Sequence, residues 1–269
     1  MSHLDRLSAL LEGLAPQIHM RTGAQLAEGG TERLQLNLLL EGGWLLQCQN
    51  SAPEHLQAPA LVVWRGDQQP SLTPLVAQGD AKVLYLDACF AGPAATLLLE
   101  AFTRPLVIAL GAGCAELELV VRLIASEMAV PRCGQPAMLE SAGEILFVGL
   151  LRHLIAHPRT PSGMLNGLAD PRIARALVAV HERPQMAWTL ESLAEVAGMS
   201  RTAFALRFRT LMNVAPGAYL ARLRLGIARR EIACGNGLKR AARESGYAST
   251  TALSRALSRK SAAEVVVSR

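Results

Sequence analysis

The amino-acid sequence predicts an α+β protein, with a small antiparallel β-barrel or sandwich and following helices, then an all-α domain containing two helix-turn-helix units. Short apolar runs separated by turn residues fill residues 17–87, which favours antiparallel strands. Helical periodicity follows Phe90, and one pattern of small and apolar residues occurs twice near the C-terminus. A chain of 269 residues is long for one core and comfortable for two domains.

The repeated pattern has the spacing of a helix-turn-helix motif. Ala194 is small where two helices touch, Gly198 permits the positive φ of a tight turn, and Phe204 fills the angle between the helices. Ser200 is expected to cap the second helix. The second copy of the pattern consists of Ala242, Gly246, Tyr247, the cap Ser249 and Leu253. The C-terminal region is therefore predicted to contain two such units.

These residues resemble the DNA-binding domain of the AraC/XylS family of transcriptional regulators. The motifs that carry the resemblance are Trp188-Thr189-Leu190, Gly198-Met199-Ser200, Phe204, Phe208, Pro216, Tyr219-Leu220 and Gly246-Tyr247. The resemblance implies a sequence-specific regulator, here expected to be an activator controlled by a small-molecule effector, with double-stranded DNA and RNA polymerase as partners. Leu253 and Leu257 replace the aromatic residues usual in the second unit, so this unit is expected to read DNA more weakly.

The charge distribution agrees with a nucleic-acid partner for the C-terminal part. From Leu165 onward, 17 Lys and Arg face 7 Asp and Glu, a formal charge of +10, whereas the remainder carries −5 of the total of +5. A basic surface gains affinity for phosphates by releasing counterions. The longest apolar stretches are too short to span a bilayer, and the N-terminus lacks a signal-sequence pattern. We therefore expect no membrane association and a cytoplasmic location.

The predicted recognition helices span Arg201 to Leu211 and Thr250 to Arg259. The first buries Phe204, Phe208 and Leu211, and the second buries Leu253 and Leu257. The opposite faces present Arg201, Thr202, Ala205, Arg209, Thr250, Thr251, Ser254 and Arg255. The resemblance implies base readers at all of these except Arg209 and Ser254; a phosphate contact, which positions without specifying, is the alternative for each. A continuous helix over 217–233 is expected to hold the two recognition helices about 34 Å apart.

In the N-terminal part, strands are predicted over 33–40, 44–49, 60–64 and 82–86, with turns at Glu41-Gly42-Gly43 and Arg65-Gly66-Asp67. This order resembles the cupin-like sensor domain that precedes some AraC-type DNA-binding domains. A catalytic cupin would need a His-x-His metal site, but the sequence has Leu36-Asn37-Leu38 and Gln68-Gln69-Pro70. We therefore expect no metal, no cofactor and no enzyme activity, and we expect an organic effector. The rival class is a cupin-type enzyme or binding protein with a vestigial DNA domain.

Helices are predicted over 4–14, 94–103, 114–129 and 137–157. The last is apolar around much of its circumference, so it packs either in the core or against a second subunit; the resemblance favours a homodimer. A Pro- and Gly-containing segment then ends the helix. The domains are predicted as a sensor and dimerisation domain over 1–157, a linker over 158–169, and the DNA-binding domain over 170–269.

Five cysteines show neither a Cys-x-x-Cys pair nor zinc-finger spacing. They are expected to be reduced, and mostly small buried residues. The alternative is a thiol switch in an oxidant-sensing regulator of the same family, with Cys89 at a strand end and Cys48 or Cys114 as its partner. Because Leu84, Leu86 and Phe90 surround Cys89 in the sequence, we expect an inert thiol and an organic effector instead.

Overall fold

A computed structural model describes residues 5–21, 32–49, 51–68, 70–75, 82–111, 114–130 and 132–267. The strands are β1 (Pro16–Arg21), β2 (Arg33–Glu41), β3 (Gly43–Gln47), β4 (Glu54–Gln57), β5 (Ala60–Arg65), β6 (Ser71–Pro74), β7 (Lys82–Phe90) and β8 (Leu106–Ala109). The helices are α1 (Asp5–Leu14), α2 (Ala95–Leu99), α3 (Ala115–Ala129), α4 (Gln135–Ala156), α5 (Met164–Ala169), α6 (Pro171–Glu182), α7 (Leu190–Ala197), α8 (Arg201–Met212), α9 (Pro216–Ala233), α10 (Leu238–Ser245) and α11 (Thr250–Val267). Leu4 and Gln69 of the sequence predictions lie outside the described residues.

The chain forms two compact units. The sheet unit comprises Pro16–Phe90 and Phe102–Arg159, and the helical unit comprises Met1–Ala15, Ala91–Ala101 and Thr160–Arg269. The segregation of strands and helices confirms the predicted α+β class.

The sheet unit contains two antiparallel sheets, of order β1-β7-β2-β5-β8 and β4-β3-β6. A buried apolar cluster lies between them and draws on both: Leu39, Ala60, Val62 and Trp64 from the larger sheet, and Trp44, Leu46 and Leu56 from the smaller. Within the described residues, the strands form two facing sheets, which agrees with the sandwich alternative. The sequence did not predict β1, β4, β6 and β8, which are only four to six residues long.

The outer face of the larger sheet is covered by α4. Along β2, Leu34, Leu36 and Leu38 are fully buried on this face. At Gly143 of α4, a Cβ atom would lie 3.1 Å from Leu86 Cδ2, so the missing side chain lets the helix lie close to the sheet. The apolar surface of α4 is thus used largely within the sheet unit, although Ile145 remains exposed.

The helical unit includes two segments that the sequence analysis placed in the sensor. Leu10 and Leu14 of α1 are buried, and Arg6 donates a hydrogen bond to the Leu168 carbonyl at 3.3 Å. The predicted linker 158–169 contains α5, most of whose residues are buried. In residues 91–101, Pro93 lies so close to α9 that a Cβ on Gly226 would be 2.4 Å from its carbonyl oxygen. These contacts join residues distant in sequence, which local patterns do not reveal.

A buried His181–Tyr219 pair links α6 to α9. The His181 Nε2 and Tyr219 hydroxyl oxygen are 2.7 Å apart. Burial lowers the pKa of His181 to about 4 and raises the pKa of Tyr219. The imidazole is therefore neutral in the folded protein at neutral pH.

This pair predicts a pH-dependent stability. Between about pH 6.5 and about 4, the unfolded chain binds a proton at residue 181 that the folded chain does not. The free energy of unfolding should therefore fall with decreasing pH in this window, by up to about 1.4 kcal/mol per pH unit from this group. When the free energy of unfolding is measured by urea at several pH values, it should change less with pH in His181→Gln than in the wild type. The variant His55→Gln, at an exposed histidine, should show the pH dependence of the wild type. An unchanged slope in His181→Gln would contradict this account.

Candidate nucleic-acid interface

The first helix-turn-helix unit has the geometry that its glycine and serine predict. Gly198 ends α7 at φ +65°, in the left-handed region that favours glycine. The Ser200 hydroxyl accepts a hydrogen bond from the Ala203 amide at 3.3 Å and so caps α8. Phe204 is fully buried between the helices, and its ring centroid lies 5.6 Å from that of Phe208. The start of α8 is thereby fixed.

The helices of the second unit also pack around a buried central residue, which is a leucine in place of the aromatic residue. Gly246 ends α10 at φ +75°, and a Cβ there would lie 2.7 Å from Gln185 Cα. The Ser249 hydroxyl accepts from the Ala252 amide at 3.1 Å. Leu253 is fully buried in a cluster with Leu225, Ala228, Ala241 and Ala242. Whether this unit reads DNA more weakly stays a prediction.

The predicted recognition residues lie mostly on exposed surface. Seven of the eight are exposed: Arg201, Thr202, Arg209, Thr250, Thr251, Ser254 and Arg255. Ala205 is half-buried. The prediction that Leu211 is buried was wrong, because α8 continues one residue further and Met212 occupies the buried stripe, four residues after Phe208.

Leu206 is a candidate that the sequence analysis missed. Its side chain is 69% exposed on α8. It lies four residues after Thr202 and thus on the same stripe of the helix. An apolar side chain can pack on the C5-methyl group of thymine in the major groove. The sequence does predict that Leu206 is exposed, because helical periodicity places a residue between Phe204 and Phe208 on the outer face of the helix.

Several arginines of the helical unit make internal contacts, among them Arg207, Arg222 and Arg224. Arg207 pairs with Asp170 at 2.9 Å, and Arg222 pairs with Glu100 at 2.8 Å. Arg224 donates from Nε to the Pro184 carbonyl at 2.8 Å. These side chains hold helices and loops in place, so the positive charge of the region overstates the number of groups available to phosphates.

Asp170 shows how such contacts stabilise the unit. Its carboxylate accepts from the Arg172 and Ile173 amides at 2.9 and 3.0 Å and caps α6. Burial alone would raise the pKa of Asp170, but hydrogen bonds from Ile173, Arg207 and Arg172 outweigh burial and lower it. The charged cap thus connects the start of α6 to α8.

The connector α9 is one continuous helix between the two helix-turn-helix units. Its 18 residues span about 27 Å at 1.5 Å per residue. It begins with Pro216 and buries Tyr219, Leu220, Leu223, Leu225 and Ala228 along its length. One continuous helix therefore contributes to the cores of both helix-turn-helix units.

In the sheet unit, the surroundings of Cys89 differ from the prediction. Cys89 lies within β7, not beyond its end, directly opposite Arg33 of β2 and Gln17 of β1. Side chains alternate along a strand, so Leu84, Leu86 and Phe90 lie on the other face. The prediction of an apolar shell around this thiol was therefore wrong.

No disulfide joins the five cysteines, all of which lie in the described part of the chain. Burial, and then the Glu54 carboxylate, raise the pKa of Cys48. The Cys114 Sγ lies 3.5 Å from His153 Nδ1, and burial, His157 and Arg159 lower the pKa of that imidazole. Across the described residues, no group of three or more His, Cys, Asp or Glu side chains could hold a metal ion. No described helix could cross a membrane.

Comparison with known proteins gives matches to both parts. Residues 5–156, more than half of the chain, match the family model described as Cupin, and residues 193–262 match that described as Helix-turn-helix domain. A Streptomyces lividans protein named as an AraC-like transcription regulator is 41% identical over 122 residues, 45% of this chain and 40% of that protein. One of the same name from Streptomyces antibioticus is 34% identical over 175 residues, 63% and 57% of the two chains.

The chain thus spans about half the length of these curated relatives. Among solved structures, the crystal structure of ToxT from Vibrio cholerae O395 aligns with a TM-score of 0.37 and 12% identity, over 91% of this chain and 92% of that one.

Proposed function

We propose that this chain, which belongs to the family described as Cupin and also matches a helix-turn-helix domain, regulates transcription by sequence-specific DNA binding, in line with the names of its AraC-like relatives. The observation that carries the proposal is the pair of closed helix-turn-helix units that share α9. Each presents a recognition helix capped by serine, with exposed donors at its start. The proposed role is that of a regulator and not of an enzyme.

The proposed base readers are Arg201, Thr202, Ala205 and Leu206 in α8, and Thr250, Thr251 and Arg255 in α11. Arginine suits guanine, and threonine suits a base edge or a thymine methyl group. Arg209 and Ser254 are assigned to the phosphate backbone. The internal pairing of Arg207 supports leaving it out of the interface.

We further propose that the regulator acts in the cytoplasm as a homodimer, as an activator that contacts RNA polymerase, and under the control of a small-molecule effector. Support for the dimer comes from exposed apolar side chains of α3 and α4 in the sheet unit: Leu119, Leu123, Met138 and Ile145. Leu119 and Leu123 lie four residues apart, so they share one face of α3, and contiguous exposed apolar patches mark interaction surfaces. The effector is assigned to the cupin region.

DNA binding by the full-length chain tests the proposal. Selection from random duplexes should yield a preferred sequence. The affinity of the protein for this duplex should fall steeply with salt concentration, because phosphate contacts release counterions. Fluorescence anisotropy should show that Arg201→Ala weakens the free energy of DNA binding by roughly 1–3 kcal/mol and relaxes the sequence preference at one base pair. Arg255→Ala should weaken DNA binding less, because the second unit has a leucine, smaller than phenylalanine, between its helices.

The control is Lys82→Ala, which removes an exposed positive charge of β7 in the sheet unit and should leave binding unchanged. Absent or salt-independent binding would sink the regulator proposal and favour a binding protein with a vestigial DNA domain. Loss of specificity in Arg255→Ala with none in Arg201→Ala would reverse the ranking of the two units.

A thiol-based oxidant sensor is the second candidate, favoured by the polar face on which Cys89 lies. We expect that peroxide treatment leaves DNA affinity unchanged, because an organic effector controls the protein. Mass spectrometry of peptides after mild peroxide treatment measures which cysteines form disulfides. Cys133→Ser is the control, because Cys133 is exposed and its removal tests for oxidation at an exposed cysteine. A reversible Cys89 disulfide to Cys48 or Cys114 that alters DNA affinity, and is lost in Cys89→Ser, would decide for thiol sensing.

A further inference from the structure

The segment of residues 183–188 joins α6 to α7, the first helix of the first helix-turn-helix unit. Within it, the Met186 amide donates to the Arg183 carbonyl at 3.2 Å, and the Trp188 amide donates to the Met186 carbonyl at 2.7 Å. The Trp188 indole also donates to the Arg183 carbonyl, at 2.9 Å. The segment is therefore a hydrogen-bonded turn, and Thr189 directly after it caps α7.

Arg224 of α9 binds this segment through two backbone carbonyls. Its Nε donates to the Pro184 carbonyl at 2.8 Å, and its Nη2 donates to the Met186 carbonyl at 2.5 Å. The arginine side chain is half-buried. A planar guanidinium can direct two fixed donors at two acceptors, whereas the ammonium of a lysine has only one nitrogen. The connector helix thus holds the start of the first unit by a forked contact.

The same segment packs against the turn of the second unit. A Cβ on Gly246 would lie 2.7 Å from Gln185 Cα and 3.2 Å from Arg224 Nε. Burial raises the pKa of Tyr247, and the charge of Arg224 opposes that change, so the guanidinium lies near the residue that follows the turn. Arg224 therefore lies where the start of the first unit, the connector and the turn of the second unit meet.

The core of the second unit offers few large side chains to fix its orientation on α9. It is a cluster of leucines and alanines: Leu225, Ala228, Ala241, Ala242 and Leu253. Dispersion attraction grows with the number of atoms in contact, so such a core resists rotation less than an aromatic core does. The contact between Gln185 and Gly246 lies outside this core. It gives the second unit a second point of attachment, and two points fix an angle that one point does not.

We propose that Arg224 is a positioning residue, which fixes the second recognition helix relative to the first by holding residues 183–188 against the turn at Gly246. With each base pair, DNA advances by about 3.4 Å and turns by about 34–36°. Two recognition helices in a fixed arrangement therefore accept one spacing between the DNA stretches that they contact, and a loosened pair accepts several. The inference rests on the proposed function, because it assigns the origin of a spacing preference in DNA binding.

A spacing series tests the proposal. The duplex selected by the full-length chain is remade with one base pair inserted or removed between the two contacted stretches, and affinities are measured by fluorescence anisotropy. The wild type should lose at least about tenfold in affinity at either altered spacing, because one helix then loses its hydrogen bonds to DNA. Arg224→Met should bind the original spacing about three- to tenfold more weakly, because the arrangement is no longer preorganised. Its affinities for the three spacings should differ by less than about threefold.

Two further variants separate the forked contact from the charge. Arg224→Lys keeps the positive charge but loses the fork, so it should show the broad spacing tolerance of Arg224→Met. A lysine that restored the wild-type spacing preference would overturn the inference, since Arg224 would then act as a charge. Arg222→Met is the matched control, because it removes an arginine of the same helix that pairs instead with Glu100. It should keep the spacing preference of the wild type.

Hydrogen–deuterium exchange of the free protein gives a measurement that does not depend on DNA binding. In Arg224→Met, amide exchange should accelerate about tenfold or more in peptides that cover 183–188 and 246–249, and should stay at the wild-type rate in α8. In Arg222→Met, neither peptide should change.

Unchanged exchange in both peptides of Arg224→Met, or a wild-type spacing preference in this variant, would overturn the inference. If thermal unfolding shows that Arg224→Met does not fold, Arg224→Lys decides by the same two measurements. Accelerated exchange of both peptides in a chain that never binds DNA would count against the proposed function and not against the positioning role of Arg224.

Discussion

The packing of the Phe204, Phe208 and Tyr219 rings is the contact on which the position of α8 depends. Phe208 lies edge-on to Tyr219 with ring centroids 5.7 Å apart, so the buried stripe of α8 is fixed on α9. Tyr219 in turn bonds to His181 of α6. A change in this ring packing would rotate α8, and every exposed side chain at the start of the helix would move with it.

The second unit reaches a similar result with smaller residues. A leucine fills less space than a phenylalanine, and the helices around Leu253 contribute alanines that allow a close approach. Small residues on the facing helices thus compensate for a small central residue. The departure from the family pattern changes the packing of the unit without leaving it open.

Features that a local rule decides are predictable from the sequence of this protein. Gly198 and Gly246 were predicted to take positive φ, and Ser200 and Ser249 were predicted to cap helices, because each feature depends on a few neighbouring residues. The separation of a strand-rich region from a helical one followed from periodicity in the same way.

Features whose partners come from distant parts of the chain are not predictable in this way. The sequence neighbours of Cys89 are apolar, but its neighbours in the sheet are Arg33 and Gln17, which only the strand register reveals. Residues 91–101 pack with residues 160–269, a contact no local pattern encodes. The buried Gln35 lies in a strand that reads as mainly apolar, so its unmatched amide became visible only once Trp64 was placed beside it.

We propose that one chain binds DNA through both recognition helices, which α9 connects. Hydroxyl-radical footprinting of the full-length protein on its selected sequence tests this most directly. The account predicts protection in two patches on one face of the duplex, about 10–10.5 base pairs apart, within the segment that one chain covers. Protection of a single patch, which shifts in extent with Arg201→Ala but never with Arg255→Ala, would contradict it.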